Sequence, residues 1–148
     1  MRAPLLVLIT LLAMGACSSN EPQSAAPKGN DEVMYELAGT RWALVQLGDK
    51  PVTVSEGGRE AYVALNSAAG SVVGYAGCNR ISTTYKQSGE QLSFGDVIAT
   101  RMICPDMPTE TALLQAMEIA AGWRIAAAHL ELLDAQHKPV ARFEARNL

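Results

Sequence analysis

Residues 74–86 read GYAGCNRISTTYK, and they place Cys78 directly between a glycine and an asparagine. The chain has 148 residues and only two other cysteines, Cys17 and Cys104. A catalytic thiol, a metal ligand and half of a disulfide would each put a cysteine in this position. The compartment in which the chain folds helps to decide among the three, and the amino terminus gives information about that compartment.

The amino terminus has the pattern of a bacterial export signal. Its apolar segment, residues 5–13, is shorter than the roughly 20 apolar residues that span a bilayer as a helix. The segment is followed by MGAC, residues 14–17, which resembles a lipobox, in which the cysteine is acylated and becomes the first mature residue. The alternative is an ordinary secretory signal cut near Ala16. We predict a lipoprotein signal peptide over residues 1–16 and lipidation of Cys17.

The residues after Cys17 are mostly Ser, Asn, Pro, Gln, Ala and Gly, with little apolar surface to bury. We therefore predict a lipid-anchored flexible tether over residues 17–35. Ser18, directly after the cysteine, favours the outer over the inner membrane under the lipoprotein sorting rule. The expected location is the bacterial cell envelope, lipid-anchored at the outer membrane and facing the periplasm. The anchor is the only membrane contact that we expect.

Residues 36–148 are long enough for one domain with one hydrophobic core. The chain carries a formal net charge of -3, and its lysines and arginines are scattered rather than clustered. This charge pattern argues against nucleic acid as a partner. The glycine-containing segment SEGGRE, residues 55–60, lacks the Lys-Ser/Thr pair of a phosphate-binding loop. We expect no cofactor.

The domain sequence predicts a mostly β structure. Short apolar segments alternate with turn signals such as Ser88-Gly89, which predicts a hairpin. Near the carboxyl terminus the alternation has period two, so that Ala141, Phe143 and Ala145 should face the core.

One segment has helical rather than strand periodicity, and we predict a helix over about residues 109–121. Thr109 is the expected cap, Glu110 suits the positive end of the helix dipole, and Gly122 is the expected stop. The apolar stripe that should pack on the sheet consists of Leu113, Leu114, Met117 and Ala121.

An oxidising compartment favours a disulfide between Cys78 and Cys104, with two free thiols as the alternative. A structural zinc site would need four Cys or His ligands at close spacing, and neither His129 nor His137 is near a cysteine in sequence. A catalytic thiol would need a nearby base, which Cys78 lacks locally. We expect no metal site.

GYAGCNR, the later ATRMICP at residues 99–105 and the helical TETALLQAM at residues 109–117 together resemble the META domain family. The opening LAGTRWALVQLGDKPV, residues 37–52, is also similar to that family, and the likeness extends over about residues 36–146. The bacterial heat-shock lipoprotein HslJ belongs to this family. The resemblance implies an α+β fold, in which a strongly curved antiparallel sheet approaches a calycin-like barrel and carries one main helix.

The resemblance also implies a function: a non-enzymatic envelope lipoprotein associated with tolerance of heat shock and novobiocin. Two alternatives stay open. The domain could bind or inhibit an envelope protein through a loop or a sheet edge. It could instead bind a small molecule inside a barrel-like cavity.

Four polar residues flank the two cysteines, and we treat them as a candidate anion- or partner-binding surface: Asn79, Arg80, Thr100 and Arg101. The alternative is that Asn79 bonds to backbone while an arginine pairs with Asp96 or Asp106.

Two histidines, His129 and His137, lie near Asp134 in what we predict to be turns. Nothing in the sequence places a nucleophile such as Ser82 or Ser93 beside them, so we predict no catalytic triad and no catalytic residues.

Overall fold

The computed structural model describes residues 34–146. Within this range it contains ten strands and one helix. The elements are β1 (Arg41–Leu47), β2 (Lys50–Pro51), β3 (Tyr62–Asn66), β4 (Ser71–Tyr75), β5 (Arg80–Ser88), β6 (Gln91–Phe94), β7 (Ile98–Ala99), α1 (Met107–Ile119), β8 (Gly122–Ala126), β9 (His129–Leu133) and β10 (Pro139–Arg146).

The strands form one strongly curved antiparallel sheet. Its order is β10-β9-β8-β6-β5-β4-β3-β1-β2, and β7 pairs with β5. Because β1 also pairs with β10, the sheet returns on itself and has a ring-like shape. The predicted fold class, a mostly β α+β domain with a curved antiparallel sheet and one main helix, is confirmed.

The inside of this ring is filled by large side chains. Trp42 and Phe143 are fully buried, and the Trp42 Nε1–H donates to the Leu37 carbonyl oxygen at 3.0 Å. The inward set predicted for β10 is found, since Ala141 and Phe143 are buried and Ala145 packs partly buried against the core. A strand with one buried and one solvated face explains the alternation in the sequence.

The helix begins earlier than predicted, at Met107, and Thr109 is therefore not its cap. The residue before the helix is Asp106, whose side chain makes no capping bond and instead accepts a hydrogen bond from the Ser55 hydroxyl. The first turn contains Pro108, which suits that position because the N–H that proline lacks would have no partner within the helix.

The helix also ends earlier than predicted, at Ile119. The next residues turn to extended backbone, and the Ala121 N–H donates to the Leu133 carbonyl oxygen at 2.8 Å. Ala121 is consequently exposed and not part of the apolar stripe, while Gly122 begins β8. The helix packs instead through buried Leu113, Ala116 and Met117, with Leu114 partly buried at the edge of the core.

Tyr35 is near the amino end of the described residues, and its ring lies edge-on to Trp42 with the ring centroids 6.1 Å apart. The predicted signal peptide, Cys17 and most of the predicted tether lie outside the described residues. Within residues 34–146, no helix has the length and apolar character needed to cross a membrane.

Candidate binding surface at the Cys78–Cys104 disulfide

The predicted disulfide is present: Cys78 and Cys104 are bonded, with their Cα atoms 5.6 Å apart. It joins the turn between β4 and β5 to the segment that leads into α1. The crosslink closes a loop of about 27 residues, for which the chain-entropy relation gives about 3.6 kcal/mol of stabilisation. The turn and the segment before the helix are therefore held together covalently.

Beside the disulfide, every polar atom of the Asn79 side chain has a partner. Its Nδ2 donates to Glu110 Oε1 at 3.0 Å and to the Met102 carbonyl oxygen at 3.1 Å. Its Oδ1 accepts from the Thr100 hydroxyl at 2.8 Å and from the Met102 N–H at 2.7 Å. Asn79 is only 2% exposed, so these bonds replace the water that it loses on folding.

Glu110 completes this network from the first turn of α1. It is 5% exposed, and its Oε2 accepts from the Asn79 backbone N–H at 2.7 Å. Both carboxylate oxygens therefore accept hydrogen bonds from the same residue. A buried carboxylate is costly unless it is hydrogen-bonded, and the positive end of the helix dipole favours it further. Glu110 thus links the helix to the disulfide turn.

The four residues of the predicted surface have different positions. Asn79 and Thr100 meet in the buried network, and the Arg80 N–H donates to the Thr100 hydroxyl at 3.1 Å. The Arg80 side chain, in contrast, lines a cleft on the outer face of the sheet. Arg101 is exposed in the segment that precedes the helix. The structure therefore brings together Asn79, Thr100 and the Arg80 backbone. Asn79 bonds to the Met102 backbone, as its alternative hypothesis predicted. The arginine pairing in that hypothesis is not found, since no arginine in residues 34–146 is within 4.0 Å of an Asp96 or Asp106 carboxylate oxygen.

The segment that carries Arg101 also exposes large apolar side chains. Ile103 is 97% exposed, Met102 is 60% exposed and Ile98 on β7 is 75% exposed. We call Ile98, Arg101, Met102 and Ile103 the disulfide-loop surface. Its backbone is fixed on one side by Asn79 at Met102 and on the other by the disulfide at Cys104.

The histidines do not form part of this site. His137 is exposed in a turn, whereas His129 was predicted in a turn and lies instead at the start of β9, partly buried. The Asp134 carboxylate accepts from the Gln136 and Lys138 N–H groups at 2.9 Å, which explains its place in the turn. The two candidate nucleophiles are exposed on β5 and β6.

Within residues 34–146, no group of three or more His, Cys, Asp or Glu side chains is arranged to hold a metal ion. A cleft of about 820 Å³ is lined in part by Met34, Trp123 and Ile125, at β8 rather than at the disulfide. Its position does not coincide with any residue set that the sequence singled out.

Sequence reasoning missed two features of the site. It assigned Glu110 to the helix dipole alone, because its partner Asn79 is 31 positions away in the chain. It also gave no role to Met102 and Ile103. The signal that could have revealed them is local: two large apolar residues between Arg101 and Cys104, in a short segment with no strand alternation.

The META domain family model matches residues 35–147. Among solved structures, an NMR structure of a protein from Burkholderia xenovorans is 26% identical, with 76% of this chain and 85% of that chain covered and a TM-score of 0.61. A second NMR structure is 22% identical over 75% of this chain and 95% of that chain, with a TM-score of 0.58.

A crystal structure of a DUF4847 family protein from Bacteroides vulgatus is 14% identical, covers 81% of this chain and 99% of that chain, and has a TM-score of 0.55. The second and third structures are similar in fold alone. No protein with a curated description matches the chain. The family match covers most of the chain and agrees with the fold and with the disulfide motif, and the chain therefore belongs to the META domain family.

Proposed function

We propose that this META domain protein is a lipid-anchored component of the bacterial cell envelope that acts by binding an envelope protein rather than by catalysis. In this role it supports tolerance of stress such as heat shock and novobiocin. Lipidation at Cys17 and location at the outer membrane are predictions from residues 1–35. Family membership supports the likeness to HslJ.

The observation that carries the binding role is the disulfide-loop surface. Met102 and Ile103 are large apolar side chains directed into solvent from a backbone held at both sides. A partner that covers them removes apolar area from water, at about 25 cal/mol per Å². Because the backbone is already fixed, less conformational entropy is lost on binding. Arg101 adds a positive charge, so the partner that fits is apolar with acidic residues at its rim.

A catalytic role has less support at this place. The polar side chains nearest the disulfide, Asn79 and Glu110, are bonded to each other and to backbone groups. A reacting group has to be free to contact its substrate, and these groups are engaged in holding the fold. A small-molecule site inside the sheet is also less favoured, since Trp42 and Phe143 fill that space.

The experiment is complementation of a strain that lacks the gene, with survival measured after heat shock and in novobiocin. The test variant is Met102→Ser with Ile103→Ser, and the matched control is Val54→Ser with Ile119→Ser, two exposed apolar residues elsewhere. We expect the control to restore survival and the test variant to leave it at the level of the deletion strain. Both proteins should have the abundance and melting temperature of the wild type, because none of the four side chains is buried.

Full survival with the test variant at normal abundance would refute a role for this surface. The anchor is tested separately by the intact mass of membrane-extracted protein, which should begin at Cys17 and carry the lipid increment. A soluble product that begins elsewhere would refute both the anchor and the outer-membrane location.

A further inference from the structure

The outer face of the sheet contains a cleft of about 620 Å³, distinct from the disulfide-loop surface. Three arginines line it: Arg41 from β1, Arg59 from the loop before β3, and Arg80 from β5. The strand register places Tyr62 opposite Tyr75 and Tyr75 opposite Arg80, so two aromatic rings and an arginine lie in one cross-strand row. The sheet itself thus forms the floor of the cleft.

Two of the arginines stack on this row. The Arg41 Cζ lies 4.0 Å from the centroid of the Tyr62 ring, and the Arg59 Cζ lies 4.7 Å from the centroid of the Tyr75 ring. A cation over an aromatic face is attracted by the ring, and the N–H groups of an arginine in that position can still donate hydrogen bonds. The tyrosines therefore help to hold the two guanidinium groups at the cleft.

The three arginines form no ion pair with Glu60, the acidic residue that also lines the cleft. Among residues 34–146, none of the three is within 4.0 Å of a carboxylate oxygen. The nearby Glu60 and Glu144 are both bonded to Arg146, whose Nη atoms lie 3.1 Å and 2.7 Å from their oxygens. The hydrogen bond from Arg146 also lowers the pKa of Glu144, which keeps this ion pair formed at neutral pH.

One donor at the cleft is left without an acceptor. In the described part of the chain, the Arg41 Nε–H is buried and makes no hydrogen bond. Buried polar groups are nearly always paired, and the Nε of Arg142, which does not line the cleft, also has no partner, so the Arg41 donor is compatible with a ligand but does not identify one. This observation is independent of the count of charges.

We propose that the cleft formed by Arg41, Arg59 and Arg80 binds a phosphate monoester group. Guanidinium forks match the oxygens of phosphate and carboxylate groups in pairs of parallel hydrogen bonds. A carboxylate offers only two oxygens, whereas a phosphate monoester offers three terminal oxygens and a charge of about -1.5 to -2 at neutral pH. Three arginines that line one cleft therefore suit phosphate better.

The net charge of the chain, -3, opposes this binding only weakly. At physiological ionic strength the screening length is about 8 Å, so an anion inside the cleft responds mainly to the adjacent arginines. The phosphate could belong to a free metabolite or to a lipid head group, and the same residues would contact either one.

The test is NMR titration of the ¹⁵N-labelled full chain in phosphatidylcholine nanodiscs, at constant ionic strength. The first probe is inorganic phosphate, with chloride as the reference anion. We expect saturable shifts of the Arg41 Nε–H signal and of the Tyr62, Tyr75 and Arg80 amides. Arg59→Gln and Arg80→Gln, both at exposed positions, should each weaken phosphate binding about five- to tenfold.

The matched control is Arg124→Gln, which removes the same charge from an exposed arginine outside the cleft and should leave the affinity unchanged. A second sample, in nanodiscs that also contain phosphatidic acid, distinguishes the two sources of phosphate. Shifts at the cleft in this sample alone assign the site to a lipid head group, and shifts with inorganic phosphate assign it to a free ligand.

The proposal is overturned if neither probe shifts the cleft signals. It is also overturned if the shifts do not saturate, or if Arg124→Gln reduces them as much as Arg59→Gln does. Because the readout is phosphate binding and not stress survival, its result is independent of the proposed function.

Discussion

Replacing Glu110 by glutamine tests the buried network that fixes the disulfide loop. Oε1 accepts from the Asn79 side-chain amide and Oε2 accepts from the Asn79 backbone N–H, so both oxygens face donors. A glutamine of the same shape must put its own NH₂ group against one of those donors. The substitution therefore loses one hydrogen bond to a charged group, worth about 1.5–3 kcal/mol, and leaves a buried donor unpaired at about 1–3 kcal/mol.

We expect Glu110→Gln to lower the free energy of unfolding by about 3–4 kcal/mol, allowing for partial relaxation. The assay is denaturant unfolding followed by tryptophan fluorescence, to which the buried Trp42 contributes together with Trp123. The control is Glu118→Gln on the same helix, which is exposed and should change stability by less than about 0.5 kcal/mol. Equal, small effects of the two substitutions would show that the buried network does not hold the helix to the disulfide turn.

Three further predictions concern stability. Replacing Cys78 and Cys104 together by alanine should lower the free energy of unfolding by about 3–4 kcal/mol, while the circular dichroism spectrum stays β-rich. Loss of the fold would show that the hydrophobic core is not stable without the disulfide. Gly74→Ala should cost about 2 kcal/mol or more, because the new Cβ would collide with a carbonyl oxygen of β3; a neutral effect in the same assay would contradict this packing. Arg146 lowers the folded pKa of Glu144 from 4.5, so the wild type should have a larger free energy of unfolding than Glu144→Gln above pH 4.5. This difference should disappear as the pH falls through the lowered pKa. A difference that persists in strong acid would exclude the ion pair as its cause.

The parts of the fold that could be predicted from sequence have local causes. The alternation of β10 follows from one buried and one solvated face, and the hairpin at Ser88-Gly89 follows from turn chemistry. The two helix boundaries were misplaced for different reasons. At the start, the Met107 N–H bonds to the Cys104 carbonyl oxygen three residues before it, so that a turn leads into the helix ahead of Thr109. At the end, Ala121 pairs with Leu133 of β9, a contact that the local sequence does not show.

The same reasoning applies to the sites. Asn79 could be singled out because it follows a cysteine, and its bonds to Thr100 and Met102 agree with the hypothesis of a structural asparagine. The cleft of Arg41, Arg59 and Arg80 could not be predicted, since the three residues come from different strands and a loop. The register of β3, β4 and β5 places Arg80 beside Tyr75 and Tyr62, and the positions of Arg41 and Arg59 over those two rings complete the cleft.

The central claim is that the domain works by presenting the disulfide-loop surface to a protein partner. The most direct measurement is site-specific photo-crosslinking in living cells, with the crosslinker at position 103 and, as a control, at the exposed position 119. We expect one discrete adduct from position 103, stronger after heat shock and absent from position 119. The same adducts from both positions, or none from position 103 in a stable and abundant protein, would contradict the account.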